Sequence, residues 1–434
     1  MRHQGFFFLM ILLLGLTGCE KEFENPNAAS FSEVPSSTDG LVNLVVGIKN
    51  RFAVNSSAGN GALFSAVTIN AFTTNEVGTG SGGNLDFNQL ANGGQSITPN
   101  NLVVSDLWSN CLLVNHHASI VLENINIIED PLLKSAVQRY ALLYKAMAIG
   151  TMVNFWQSLP VETGENAIFV DSSEALRTSI RLLNLSLLLP DTTVDARLGT
   201  EINLRNSTLA LLARYHLMLG NYDSAIARAG AVNITTSASA RSIFVFNNLN
   251  ANPVFLSGFN ASFAYRPSNL MGLSAGVFPF RNDTLRLRFY TLDQNPSPNI
   301  FSSGFWKNDT DSIPLYLPGE MLLIQAEAYV RKGDLANGKV FLDRVLTKRP
   351  SQDAFRIGAS LDPYAGPMTQ DALLLEIYRN RCVELFMSGL KLADGRRFHR
   401  PGPKDANPER KRNYFPYPQQ EALGNSNTPP NPDI

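Results

Sequence analysis

Residues 315–350 read LYLPGEMLLIQAEAYVRKGDLANGKVFLDRVLTKRP, and this stretch decides the fold. Pro318-Gly319 interrupts what precedes it, and helix-compatible sequence then runs to Pro350 with one break, at Gly333-Asp334. Before the break, Leu322, Ala326 and Tyr329 recur at helical spacing, with Leu323 and Val330 beside them. After it, Leu335, Val340, Leu342 and Val345 repeat the pattern. Two amphipathic helices joined by a glycine turn make an antiparallel hairpin. Ala326 stands seven residues before the glycine and Gly338 five after it, small side chains that let two helix backbones approach closely.

The same offsets recur at Leu204–Val232. Ala213 stands seven residues before Gly220, Tyr222 two after it and Ala225 five after it. A supersecondary unit that repeats with small residues at fixed offsets is tetratricopeptide-like patterning, and it predicts a mainly α scaffold of helix hairpins. Further helices are expected over Thr38–Phe52, Leu63–Phe72, Ser105–Ile128, Pro131–Phe155 and Asp371–Leu392. Two stretches break the pattern. Residues 73–101, with Gly78, Gly80, Gly82, Gly83, Gly93 and Gly94, read as one long loop. Residues 233–314 read as a loop-rich insertion in which short apolar runs such as Ile243–Phe246 and Leu285–Tyr290 form strands. Seven Lys or Arg within Arg396–Arg412, against Asp405 and Glu409, read as a solvated, partner-facing rim.

The N-terminus addresses the chain to an envelope. An apolar run from Phe6 to Leu14 is too short for a permanent span and is followed by Leu16-Thr17-Gly18-Cys19. A cysteine straight after two small residues is a bacterial lipobox, and the Cys19 thiol is the one side chain there that can take a diacylglyceryl thioether. The expected organisation is a signal peptide over 1–18, a lipid-anchored tether over 19–36 and one domain over 37–434. The acidic, turn-rich residues 20–35 suit a tether. Beyond Cys19 the cysteines are Cys111 and Cys382, expected as buried free thiols.

A net charge of −1 with 17% charged residues offers no electrostatic footprint for nucleic acid. No HExxH, GxSxG, P-loop or dinucleotide fingerprint is present, so no enzyme chemistry and no cofactor is expected. His116-His117 cannot put both rings on one helix face, and Asn308–Ser312 lacks the glycine and closing glutamate of a calcium loop. The aromatic residues carry more information. Phe255, Phe259, Phe263, Tyr265, Phe278, Phe280, Phe289, Tyr290, Phe305 and Trp306 crowd the irregular insertion. Flat rings beside Asn, Asp and Arg suit stacking on sugars or capture of peptide side chains, whereas Trp108 and Trp156 lie in helical contexts and read as core.

Taken together, the chain resembles the SusD/RagB-type surface lipoproteins over nearly its whole length. The resemblance rests on the LTGC lipobox with Asn25-Pro26-Asn27 behind it, the helix pair around IQAEAYVRKGD, the segment EIYRNRCVELFMSGLKLADGRRF, and Phe415-Pro416-Tyr417-Pro418 followed by Glu421 and Asn431-Pro432. Glu376, Arg379, Glu384, Gly389, Asp394 and Arg397 match the family's Arg/Glu-rich helix and following turn, and FPYP matches a Pro-flanked strand. Gly395 and Leu392-Ala393 depart from the pattern, and the chain is shorter than many members.

The resemblance implies a lid at the outer-membrane surface, anchored by lipid and hinged on a SusC-like TonB-dependent barrel. Lid and barrel together capture an oligosaccharide, or in some members a peptide, for import. Asn75-Glu76 stands where members often have an Asp-containing pair feeding the binding face. Phe87, Tyr265, Arg266, Tyr290 and Trp306 join them as candidate ligand contacts on chemistry and loop position. The alternative is a surface tetratricopeptide-like scaffold that binds only protein.

Overall fold

Successive helix hairpins, each burying one face on the next, build the frame. The computed structural model describes residues 34–434 except 57–58, 81–82, 191–194, 260–263, 269–270, 275–276, 278–282, 295–296 and 302–303. The expected signal peptide over 1–18, Cys19 and the Asn25-Pro26-Asn27 run therefore lie outside the described residues, as do Phe263, Phe278 and Phe280.

In chain order the helices are α1 (Thr38–Ala53), α2 (Ala62–Thr73), α3 (Leu85–Asn92), α4 (Leu102–Glu123), α5 (Pro131–Val153), α6 (Ser172–Leu188), α7 (Leu204–Met218), α8 (Tyr222–Gly230), α9 (Thr284–Tyr290), α10 (Pro318–Arg331), α11 (Leu335–Leu346), α12 (Gln370–Glu384), α13 (Lys391–Arg397) and α14 (Gln419–Gly424). The strands are short: β1 (Val77–Thr79), β2 (Ser158–Pro160), β3 (Phe169–Asp171), β4 (Ile243–Phe244), β5 (Tyr265–Pro267), β6 (Thr291–Gln294), β7 (Ser297–Phe301) and β8 (Ile313–Pro314). They pair antiparallel as β1–β5, β2–β3, β4–β8 and β6–β7.

Helices α4 to α8 pack each on the next; α8 packs on α10, and α10 on both α11 and α12. Local chemistry fixes their starts. Asp130 accepts from the backbone N–H of Leu132 at 2.8 Å ahead of Pro131, and Asp171 accepts from Ser173 and Glu174 at 2.8 and 2.9 Å. A side-chain cap of this kind contributes about 1 kcal/mol.

The opening hairpin forms as its spacing requires. Gly333 turns the chain at φ 86° and Gly220 does the same at φ 74°, a conformation that costs glycine nothing. Asp334 caps α11 by accepting from the Asn337 N–H at 3.1 Å. Gly338 is buried, and a methyl group there would overlap Val330 of α10. Leu322, Leu323, Ala326, Val330, Leu342 and Val345 form one apolar cluster with Leu373 and Ile377 of α12. Val340 departs from the expected face: it is 53% exposed, turned away from the seam.

Other sequence expectations give way. Residues 73–101 are not a single loop, because β1 and α3 form within them, Asn84 capping α3 through the Phe87 N–H at 3.0 Å. Leu285–Tyr290 forms a helix rather than a strand, started by Asp283, which accepts from the Arg286 N–H at 3.3 Å. Helix α6 carries no expectation at all, although Asp171 and the i,i+3 pair Glu174–Arg177 are helix-start signals.

FPYP forms no strand and pairs with none among the described residues. Phe415 and Tyr417 are buried, the Phe415 N–H donates to the Phe155 carbonyl at 2.9 Å, and the Trp156 indole donates to Pro416 at 3.2 Å. Trp108 and Trp156 are core residues, their ring centroids 4.8 Å apart. Cys111 and Cys382 are buried free thiols, burial pushing the Cys382 thiol up to about 12. Among the described residues no helix is long and apolar enough to cross a membrane.

The basic run is not a solvated rim. Lys404 stays exposed, but Arg396 donates to the carbonyls of Asn413 and Asn154 at 2.7 and 2.8 Å. The Lys411 N–H donates to the Thr73 carbonyl at 2.7 Å, and its ammonium donates to Phe72 and Ala91 at 3.2 and 2.5 Å. Lys411 thus closes the C-terminal ends of α2 and α3 at once, where carbonyls lack partners and carry partial negative charge. Its isolation from carboxylates lets burial lower its pKa to about 8.

Candidate functional site

The expected ligand face centres on the ribbon β1–β5, which joins the segment before α3 to the irregular insertion. Val77 pairs with Pro267, Gly78 with Arg266 and Thr79 with Tyr265. Side chains alternate along a strand. Tyr265 therefore points inward and Arg266 outward: Tyr265 is 1% exposed, while Arg266 stands in solvent opposite the exposed Gly78.

Tyr265 is the hub of a ring cluster rather than a platform for ligand. Phe72, Phe87 and Phe259 lie 5.1, 5.5 and 5.1 Å from it between centroids, and Phe64 stacks on it at 6.5 Å. Its hydroxyl hydrogen-bonds the Thr68 hydroxyl, and burial raises its pKa. A second group joins Trp306 to Tyr290 at 6.0 Å, Phe259 at 6.1 Å and Phe305 at 5.9 Å. The Tyr290 hydroxyl donates to the Glu384 carbonyl at 2.9 Å.

This corrects four of the candidate contacts. Phe87, Tyr265, Tyr290 and Trp306 are all 7% exposed or less and offer no face to a ligand. The physical reason is area: these rings of α3 and the insertion are large apolar surfaces, and they bury against one another and against the helices together with Val254, Met271, Leu273 and Val277. Trp306 Nε1 is buried without a partner among the described residues, beside a small cavity of about 40 Å³ that Arg214, Glu320 and Met387 also line.

Glu76 is equally interior. Its carboxylate accepts from Asn70 Nδ2 at 2.7 Å and from the Met387 N–H at 3.0 Å, tying α2 and β1 to the turn after α12. Burial pushes its pKa up to about 7, against the pull of Lys391 and the Met387 N–H. Asn75, at φ 59°, bends the chain out of α2 and donates to the Pro408 carbonyl at 3.2 Å while remaining half-exposed. Of the seven candidates, Asn75 and Arg266 are the two that reach solvent.

Beneath this face lies a charged network in which Glu384, Asp394 and Arg397 belong to the motif read above, while Arg286, Lys348, Asp353 and Glu327 are marked by none. Arg286 of α9 is buried; it donates to Asp283 at 2.6 Å, to Glu384 at 3.0 Å and to Asn380 at 2.8 Å. The Lys348 ammonium bonds Glu384 and Asp353, the latter at 2.6 Å. Nearby, Arg397 forks onto Glu327 at 2.8 and 2.9 Å and reaches Asp394, which Arg381 holds from the other side at 2.7 and 3.0 Å. These arginines hold the Glu327 and Asp394 carboxyls below the ordinary carboxylate range despite complete burial.

Of the residues that carry the resemblance, Glu384, Asp394 and Arg397 thus bind helices to one another, while Glu376 pairs with Arg379 and Asn380 within α12. Among the described residues no three His, Cys, Asp or Glu side chains converge as a metal site.

Solved structures superpose on the chain over most of its length. A SusD superfamily protein from Bacteroides vulgatus matches with a TM-score of 0.70 at 14% identity, covering 92% of this chain and 99% of that one. A laminarin-binding SusD-like protein matches with a TM-score of 0.66 at 15% identity over 92% of this chain and 99% of that one. A SusD-like carbohydrate-binding protein from Bacteroides fragilis matches at 0.69 and 12% identity over 91% and 99%. No protein-family model and no curated protein sequence matches the chain. The chain has the SusD-like fold, a mainly α frame of helix hairpins with a loop-rich lobe.

Proposed function

We propose that this protein is a cell-surface glycan-binding lipoprotein that serves as the lid of a TonB-dependent outer-membrane transporter. The observation that carries the reading is the likeness along nine-tenths of the chain to SusD-like proteins, one of which binds laminarin. The lipobox at Cys19 supports a lipid anchor, since a chain that lacks a spanning helix among its described residues needs another means of attachment. A lid needs binding and motion rather than bond chemistry, and a rigid hairpin frame carrying an irregular lobe suits that task.

The glycan face is assigned to the solvent side of the β1–β5 ribbon. Arg266 supplies a guanidinium fork for sugar hydroxyls, and Asn75 an amide at its edge. Calorimetry on residues 20–434 against a panel of soluble glycans, with laminarin oligosaccharides first, tests the reading. Saturable binding that Arg266→Ala weakens supports it. A protein that binds no glycan and co-purifies with no barrel from outer membranes is instead the protein-only scaffold. The anchor has its own test: Cys19→Ser should release the protein from membranes, and continued retention would sink that part.

A further inference from the structure

A second concavity lies apart from the β1–β5 ribbon, where the β2–β3 hairpin turn and the C-terminal helix α14 meet α4. Its volume is about 240 Å³; Leu112, Leu113, Pro160 and Ala167 give it apolar walls, and His116 and Glu421 stand at its edge. Both sides are fixed by hydrogen bonds. Asn115 Nδ2 donates to the Val161 carbonyl at 2.9 Å, and His116 Nδ1 pairs with the Thr163 hydroxyl at 3.0 Å. From the other side Asn425 Nδ2 donates to Ala167 at 3.0 Å, and Asn427 Nδ2 to Asn166 at 2.7 Å. Glu421 is aimed by two donors, Trp108 Nε1 at 3.0 Å and Asn425 Nδ2 at 2.9 Å, each taking one oxygen and leaving lone pairs free.

Three features identify the occupant. No Phe, Tyr or Trp lines the cleft, and the His116 ring there is held by the Thr163 hydroxyl, so the site offers no broad ring face to a sugar. Its volume is below the ~300 Å³ at which drug-sized pockets begin, enough for one or two side chains but not an oligosaccharide. Its surroundings are acidic and greasy: the exposed Glu162 and Glu165 flank the lining residues Thr163 and Gly164 in the chain, Glu421 lines the cleft itself, and Ile168 and Leu423, one residue after Ala167 and two after Glu421, are 75% and 80% exposed. Glu162 is already paired with the buried Lys145 at 2.9 Å, which leaves Glu165 and Glu421 as the carboxylates open to a partner's cation. We propose that this cleft docks an extended peptide segment of a partner protein, seating an aliphatic side chain against Leu112 and Leu113 with a neighbouring Lys or Arg on Glu421 and Glu165.

The test is a fluorescence-anisotropy titration of residues 20–434 with a labelled hexapeptide of alternating leucine and lysine. The charge-inverted leucine–glutamate peptide and a laminarin oligosaccharide serve as competitors. Saturable binding of the basic peptide that weakens as salt rises, and that neither competitor displaces, is expected. Ala167→Trp fills the cleft and should weaken binding by at least ~10-fold, the share of one buried aliphatic side chain. Exposed Glu165→Lys should weaken it without lowering the thermal midpoint. No binding, equal binding of the acidic peptide, displacement by the oligosaccharide, or indifference to both substitutions would each overturn the assignment. Glycan affinity measured on the same variants should not change, which separates failure of this site from failure of the glycan reading.

Discussion

Arg286 and Glu384 meet at 3.0 Å with both side chains fully buried, and this contact fastens the irregular lobe to the helical frame. Arg286 belongs to α9 in the insertion, Glu384 to the end of α12. The same glutamate takes the Lys348 ammonium, and its backbone carbonyl takes the Tyr290 hydroxyl. One residue thus joins three separate segments. A buried ion network adds little net stability over an apolar replacement, but it is costly to break from one side.

Arg286→Ala should therefore destabilise the protein by about 3–5 kcal/mol, because Asp283 and Glu384 remain buried with less compensation. Denaturant unfolding at neutral pH measures it. A loss below about 1 kcal/mol, the range of exposed pairs, would mean that water reaches the network.

The buried rings and the exposed arginine should separate cleanly. Trp306→Ala and Tyr265→Ala each empty a core site and should cost about 3–5 kcal/mol. Arg266→Ala is a surface change and should stay within about 0.5 kcal/mol while lowering glycan affinity. If Trp306→Ala instead left stability untouched and abolished binding, the ring would face the ligand after all.

How legible this was depended on the range of the interactions. Helical period and small residues at fixed offsets mark the hairpins, because a helix seam is set by residues three and four apart. The inward turn of Tyr265 depends on Thr79, its partner across β1–β5, and no period in the sequence reports a pairing so distant. The same holds for the basic run: its charges are visible, but Asn154, Phe72 and Ala91, whose carbonyls absorb Arg396 and Lys411, lie hundreds of residues away. Arg266 and Tyr265 are equal candidates by type and position, and the alternation that exposes one while burying the other needs the strand.

Gly338 tests the close approach directly. Gly338→Val adds an isopropyl group against Val330 and should cost about 1–3 kcal/mol by overpacking. Gly333, at φ 86° with open space around it, should respond for a different reason: Gly333→Ala meets no neighbour and loses stability through backbone strain alone. Paired with Val330→Ala, Gly338→Val should recover part of its loss, whereas Gly333→Ala should not. Double-mutant cycles from thermal unfolding distinguish the two.

Glu76 should give the protein a stability that falls as pH rises. Its folded pKa, about 7, lies above the ordinary 4.5, so the folded state holds the proton more tightly. The contribution is therefore complete below pH 4.5 and lost as pH climbs through 7, about 3 kcal/mol in all. His117 and His216, whose pKa values burial lowers, act in the opposite sense by losing stability as pH falls through 6.5. The difference between wild type and Glu76→Gln isolates the glutamate. Gln is neutral throughout, so the difference should shrink or reverse between pH 5 and 8. At pH 5 the variant should be weaker by about 1–3 kcal/mol, because its amide turns a donor toward Asn70 Nδ2 or the Met387 N–H, both donors themselves. A difference that stays constant across this range would show that Glu76 titrates outside it.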